Sequence, residues 1–240
     1  TERGQLVQAA LGDAFVRLRQ AFEIAQGGQA ARPLRVVAAS SFAVGWLLDR
    51  LAAFRAACPG SDLHLEPAED PLAPREYAPD ILLHHGSAAP EPRGWDRLFD
   101  CEAFAVSASP RPVTLEAVAR APLIHCDVRE GLARGGPSWQ AWFAAKRLAP
   151  APDAPRPQHV TQAYAALRLA LRGEGVALLS RHLIEAPVRD GGLRVVPGSG
   201  FSPGTALWVK VVEGAPRQDA QRFVDWLRQA TAGLREASGS

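Results

Sequence analysis

The chain changes its hydrophobic period again and again, and this switching limits its fold more than any other feature. Residues 34–39 (LRVVAA) are a short apolar run, which suits a buried strand and is too brief for a buried helix. From Ser40, Ser41 and Phe42 the spacing becomes helical, with Trp46, Leu47, Leu51 and Phe54 on one side to about Ala57, where Cys58-Pro59-Gly60 stops it. Residues 62–66 then alternate, with Leu63 and Leu65 inward. Strand, helix and strand in that order make a β-α-β unit, which implies parallel pairing and a right-handed crossover.

The alternation continues to the end of the chain. Residues 80–85 (DILLHH) read as a buried strand closed by Gly86, a Pro-rich loop runs to about Arg93, and residues 103–107 (AFAVS) are strand-like. After Pro112 come a short helix near 115–119, a strand at 123–126, a Gly-rich loop through Gly136, and a helix at about 138–147 carrying Trp139, Trp142 and Phe143. A Pro-rich connection at 149–157 leads to His159-Val160, a helix from Thr161 or Gln162 to Arg172, and strands at 176–180, 193–196 and 205–212. A closing helix at 217–234 buries Phe223, Trp226, Leu227 and Ala230. Such alternation predicts α/β layers. Ahead of all this, residues 2–26 are free of Pro, and Leu11, Phe15, Leu18, Phe22 and Ala25 recur at spacings of four, three, four and three. That is a heptad seam. It fits either an amphipathic helix packed on its own domain or one that pairs with a second chain.

Composition narrows the class. A chain of 240 residues that is 47% hydrophobic, with 27 Lys plus Arg against 25 Asp plus Glu, is globular and long enough for two modest domains. No apolar run approaches the roughly 18 to 20 residues that span a bilayer, so no membrane partner is expected. Cys58, Cys101 and Cys126 are far apart and form no C-x-x-C pair, which points to a reducing compartment and away from disulfides or a zinc ribbon. The sequence contains no Met, so it is expected to be a fragment or a processed form. A cleaved signal peptide and a cut at a domain boundary are the two explanations.

Enzyme signatures are missing. Gly173-x-Gly175 lacks a third glycine and precedes a strand, and neither a phosphate-binding G-x-x-x-x-G-K-[ST] nor a G-x-S-x-G elbow occurs. The better candidates are for binding. Ser40 and Ser41 stand between a strand's carboxyl end and a helix N-terminus, where α/β sheets take ligands and where free N–H groups favour a carboxylate or phosphate. Their alternative role is a plain N-cap. Thr161 and Gln162 hold the same kind of position later in the chain, which allows a two-sided site. His84-His85 ends a strand, so the pleat sends the two rings to opposite faces and only one is expected to reach a cleft. A metal site would need His125, Cys126 or Asp127 in addition, and none is expected. Cys126 reads as a buried thiol. Basic residues are scattered without aromatic interleaving, so this chain is not expected to bind nucleic acid by itself.

Taken together and in order, LRVVAASSFAVGWLLDRLAAFRAACPGSDLHLEP (34–67), DILLHHG (80–86), ALRLALRGEGVALLSRHLIEAPVRDGGLRVV (166–196) and RFVDWLRQ (222–229) resemble the effector-binding region of LysR-type transcriptional regulators, in the branch of the glycine-cleavage activator and the β-lactamase regulators. Residues 1–22 resemble that family's linker helix, which joins a winged helix-turn-helix head and pairs with its counterpart in a dimer. The resemblance implies two Rossmann-like subdomains of the type II periplasmic-binding-protein fold, joined by two crossover segments and preceded by the linker helix at 1–28. Subdomain I is expected at 33–105 plus 208–240 and subdomain II at 106–207, with the DNA-binding head absent. It further implies a small-molecule effector, DNA contact through the head, a homodimer or homotetramer, indirect action on RNA polymerase, a cytoplasmic location, and neither catalysis nor a cofactor. Effector positions fall on Ser40, Ser41 and Phe42; on His84 and His85; on Asp127, Val128 and Arg129; on Thr161 and Gln162; and on Leu207. His84-His85 replaces the branch's usual Arg-Tyr, and Leu207 replaces a polar aromatic of some relatives, so the murein-peptide effectors of those relatives do not carry over. The alternatives are an extracytoplasmic solute-binding protein of the same fold and an enzyme with a composite cleft site.

Overall fold

Two five-stranded sheets carry the molecule. The structure is a computed structural model that describes residues 32–91, 93–109, 113–127 and 136–236. Leu11, Phe15, Leu18, Phe22, Val128 and Arg129 lie outside the described residues. The first sheet holds β1 (Leu34–Ala39), β2 (Leu63–Ala68), β3 (Ile81–Gly86), β4 (Asp96–Asp100) and the last strand, β10 (Ala206–Val211). The second holds β5 (Ala103–Ser107), β6 (Leu123–Cys126), β7 (Gln158–Val160), β8 (Val176–Ser180) and β9 (Arg194–Val195).

Their orders, β2-β1-β3-β10-β4 and β7-β6-β8-β5-β9, are the same design twice. In each sheet a central strand, β1 or β6, pairs in parallel with both neighbours. An antiparallel strand, β10 or β5, then enters from the other half. The chain therefore passes between the halves twice, and the two passages are tied together. Cys101 N–H donates to the Thr205 carbonyl at 2.8 Å, and Ala103 and Phe201 exchange backbone bonds of 2.8 and 2.9 Å. The boundaries expected at 105/106 and 207/208 fall inside β5 and β10. Each of these strands belongs to one sheet over its whole length, so the passages lie instead at 101–102 and 201–205.

The helices are α1 (Ser40–Phe42), α2 (Leu51–Ala57), α3 (Leu115–Val118), α4 (Trp139–Lys146), α5 (Ala163–Leu171), α6 (Arg181–Arg189), α7 (Arg217–Ala230) and α8 (Ala232–Glu236). Between α1 and α2 the backbone stays helical but loosens into a π turn at Ala43–Leu47 and tightens into a 3-10 turn at Leu48–Arg50. The π turn faces α6 of the other half. A Cβ added at Gly45 would overlap the Leu183 side chain, so any larger residue there would force that side chain to another rotamer. Beside it, Trp46 Nε1 and Arg50 Nη2 both donate to the Glu185 carboxylate, at 3.0 and 2.8 Å. This bridges the halves a second time, away from the two passages.

Each half has its own core. In the first, Phe42, Trp46, Leu47 and Phe54 pack with Ile81, Leu83, Leu207, Phe223 and Leu227. In the second, the period of two splits the strands between two layers. Ala103, Ala105, Leu123 and Leu178 face Trp139, Trp142 and Phe143 of α4. Val106, Ile124, Ala177 and Leu179 face Leu167 and Ala170 of α5 and Leu183 and Ile184 of α6. The indoles meet the polar requirement of burial through backbone carbonyls: Trp139 Nε1 donates to Ile124 at 2.9 Å and Trp142 Nε1 to Ser199 at 2.8 Å. No helix among the described residues is long and apolar enough to cross a membrane.

Two elements were not anticipated. The segment Asp96–Asp100 is β4, the far edge strand beyond β10, and Arg181–Arg189 is α6 despite Pro187 within it. The closing helix also breaks into α7 and α8 at Thr231, whose hydroxyl donates to the Leu227 carbonyl at 2.8 Å.

Candidate functional site between the two halves

A cavity of about 290 Å³ opens between the carboxyl ends of the two sheets. The first half contributes Ala39, Ser40 and Ser41 at the end of β1, Glu69 beyond β2, and His84 and His85 from β3. The second contributes Cys126 from β6, Thr161 to Tyr164 at the start of α5, and Ser180 and Leu183 at the start of α6. This is the crevice at strand ends where α/β sheets bind ligands, here formed between two such sheets.

Three helical segments begin at its wall, and none of them is closed by its own N-cap side chain. The N-cap of α1 is Ala39, which has no side chain to offer; that of α5 is Gln162 and that of α6 is Ser180, and neither makes a capping bond. Away from the cavity, α3 and α4 are capped by the Thr114 and Ser138 hydroxyls at 3.2 Å each, while α2 and α7 begin without a capping side chain. Ser40 and Ser41 are therefore not N-caps. They stand in the first turn, and their hydroxyls, like that of Thr161, have no partner among the described residues. First-turn N–H groups, hydroxyls and helix dipoles directed at one space favour an anionic group there. Glu69 is the acidic group on the lining and suits a donor elsewhere on the same ligand.

Both histidines of the pair border the cavity, against the expectation that only one would. The space lies off the end of β3 and not over one face of it, so residues of both faces border it. His84 packs edge-on to Trp95 at 6.0 Å, and His85 Nε2 lies 3.1 Å from the Thr205 hydroxyl. Burial, with a smaller contribution from His84, lowers the His85 pKa to about 4. Burial lowers His84 as well. His85 is thus neutral at ordinary pH. Behind it, His182 at the start of α6 is packed against Phe42 and Phe99 and is lowered by burial to about 3.

The remaining expected positions sort plainly. Phe42 and Leu207 are 0% and 1% exposed members of the first core and do not line the cavity. Phe42 stacks on Trp46 at 5.0 Å, and Leu207 lies on β10, whose side chains there point into that core. Asp127 borders a smaller recess of about 280 Å³ next to the cavity, together with His125, Ser138 and Gln140. Cys126 does line the cavity, where burial followed by the Asp127 and Glu69 carboxylates pushes its thiol up to about 11, so it stays protonated and unreactive. Glu69, Tyr164 and Ser180 were missed. Ser180 carried a readable signal, because it repeats the pattern of a hydroxyl between a buried strand and a helix already seen at Ser40. Glu69 follows an edge strand with nothing local to mark it.

Comparison with known proteins agrees with this architecture. The HTH-type transcriptional regulator TrpI of Pseudomonas aeruginosa is 30% identical over 97% of this chain and 79% of its own length. The HTH-type transcriptional regulator PerR of Escherichia coli is 27% identical over 80% of this chain, which spans 63% of PerR. Among solved structures, the effector domain of the transcriptional regulator AmpR of Pseudomonas aeruginosa superposes with a TM-score of 0.70 at 21% identity, covering 87% of this chain and 100% of that one. These relatives are transcriptional regulators and not enzymes. The LysR substrate binding domain matches residues 27–232, and the chain belongs to that family as the effector-binding domain of a LysR-type regulator.

Proposed function

We propose that the cavity between Ser40-Ser41 and Thr161-Gln162 holds the effector, a small molecule with an anionic group seated on the α1, α5 and α6 N-termini. The observation that carries this reading is the convergence of three helix starts, none closed by an N-cap side chain, on one space bordered by both sheets. Ligand bridging the halves favours one arrangement of them, and the passages at 101–102 and 201–205 absorb the change. The linker seam of Leu11, Phe15, Leu18 and Phe22 pairs two chains into a homodimer or homotetramer and carries the change to DNA-binding heads like those named for TrpI and PerR. Action on RNA polymerase is indirect, and the location is cytoplasmic.

The test is a thermal-shift titration of this chain against small carboxylates and organic phosphates. Compounds that raise Tm in the parent are expected to lose at least tenfold in apparent affinity in Ser41→Ala and Thr161→Val, as loss of a hydrogen bond to a charged group requires. Equal affinity in folded variants removes these residues from the site.

A further inference from the structure

We propose that His125, Asp127 and His159 form a binding site for one divalent transition-metal ion, outside the effector cavity, where the sequence led to an expectation of no metal. Strand pairing brings the three together. In the parallel pair of β6 with β7, His125 is the register partner of His159, so the two rings project from the same face with centroids 4.8 Å apart. Asp127 lies two residues beyond His125, which returns it to that face, and its Oδ2 is 2.6 Å from His159 Nδ1. The ligand atoms of all three lie within 4.8 Å of one another.

Two imidazoles and a carboxylate are a borderline donor set suited to zinc, nickel or copper, and poorly suited to magnesium or calcium, which take oxygen ligands. Tetrahedral coordination at metal–ligand distances of about 2.1 Å separates ligand atoms by about 3.4 Å. The widest pair must therefore close in, while the close Asp127–His159 pair opens from 2.6 Å. His159 and Asp127 side chains are 54% and 57% exposed, which leaves them free to make that adjustment. The recess beside His125 and Asp127, also lined by Ser138 and Gln140, gives water access to the remaining coordination position. Cys126, between His125 and Asp127 in sequence, belongs to the opposite face with Ile124 and Val160 and borders both the recess and the effector cavity. The ion would thus sit beside the effector cavity at the end of β6, on the face opposite the Cys126 side chain.

Isothermal titration of the untagged chain with Zn2+ and with Ni2+ should show saturable binding of one equivalent. His125→Ala, His159→Ala and Asp127→Asn should each weaken it at least tenfold, and His64→Ala, on β2 of the other half, should leave it unchanged. In the unsubstituted protein, NMR titration with paramagnetic Ni2+ should broaden the His125 and His159 ring signals first. Absence of saturable binding, survival of that binding in the His125→Ala/His159→Ala double variant, or first broadening at other histidines would overturn the proposal.

Discussion

Acid should weaken this protein earlier than its carboxylates alone would, because two histidines are held neutral inside it. His85 and His182 have folded-state values of about 4 and about 3, both lowered first by burial, against 6.5 for the free side chain. The unfolded chain therefore binds more protons than the native one between pH 6.5 and about 4, and stability falls with falling pH across that window. Each group contributes a slope on the order of 1 kcal/mol per pH unit, so the pair removes about 2 to 3 kcal/mol between pH 6 and pH 5. With a urea dependence of about 2 to 3 kcal/mol/M, the unfolding midpoint drops by about 1 M over that unit. The effect fades as pH rises through 6.5 and is gone about one unit above it. The assay is urea unfolding followed by Trp fluorescence at half-unit pH steps, in parent and in His182→Leu. The substitution removes a ring whose Nε2 is buried without a hydrogen bond, so it should cut the slope by about half. A parent midpoint flat from pH 6.5 to 5, or an identical slope in the variant, refutes the reasoning.

Other consequences follow from single contacts. Asp80 is buried and takes two bonds of 2.8 Å from the Arg32 guanidinium and one of 2.8 Å from Arg35 N–H, so Asp80→Ala should cost about 3 to 5 kcal/mol in denaturant unfolding. Glu185→Ala strips the partner from the buried Trp46 indole and should cost about 1 to 3 kcal/mol, with a change in Trp fluorescence marking the altered contact between halves. Ser138→Ala removes the α4 cap and should cost about 1 kcal/mol, whereas Ser41→Ala, which removes no cap, should change stability by less. Deleting residues 1–28 should convert the oligomer to monomer by sedimentation velocity, and an unchanged assembly would take the seam out of that role.

The alternation of periods made most of the fold legible, and the exceptions have physical reasons. Leu34–Ala39 and Val176–Ser180 are buried on both faces, and such strands read as unbroken apolar runs. Asp96–Asp100 is an edge strand held by β10 alone, with charged residues at 96, 97 and 100, so it carries no such run. Pro187 disguised α6; it falls in the last turn, so the i−4 bond it forfeits is to Leu183 and the helix ends two residues later. Ser40, Ser41, Thr161 and Gln162 could be placed at the cavity because a polar residue between strand and helix has a position dictated by topology. Phe42 and Leu207 could not be excluded, because the direction of one side chain at a strand or helix end depends on packing against a β10 that returns more than a hundred residues later. The His125–His159 meeting was equally hidden, since register between β6 and β7 is set across the whole of α4 and its connections.

The most direct test of the two-sided cavity is an amide NMR titration of the chain with the small anion that raises its Tm most. The account predicts that the largest shifts fall together on the first turns after Ala39, Gln162 and Ser180, in both halves at once. Shifts confined to one half, or centred on the surface groove formed by Phe104, Val188 and Leu234, would contradict it.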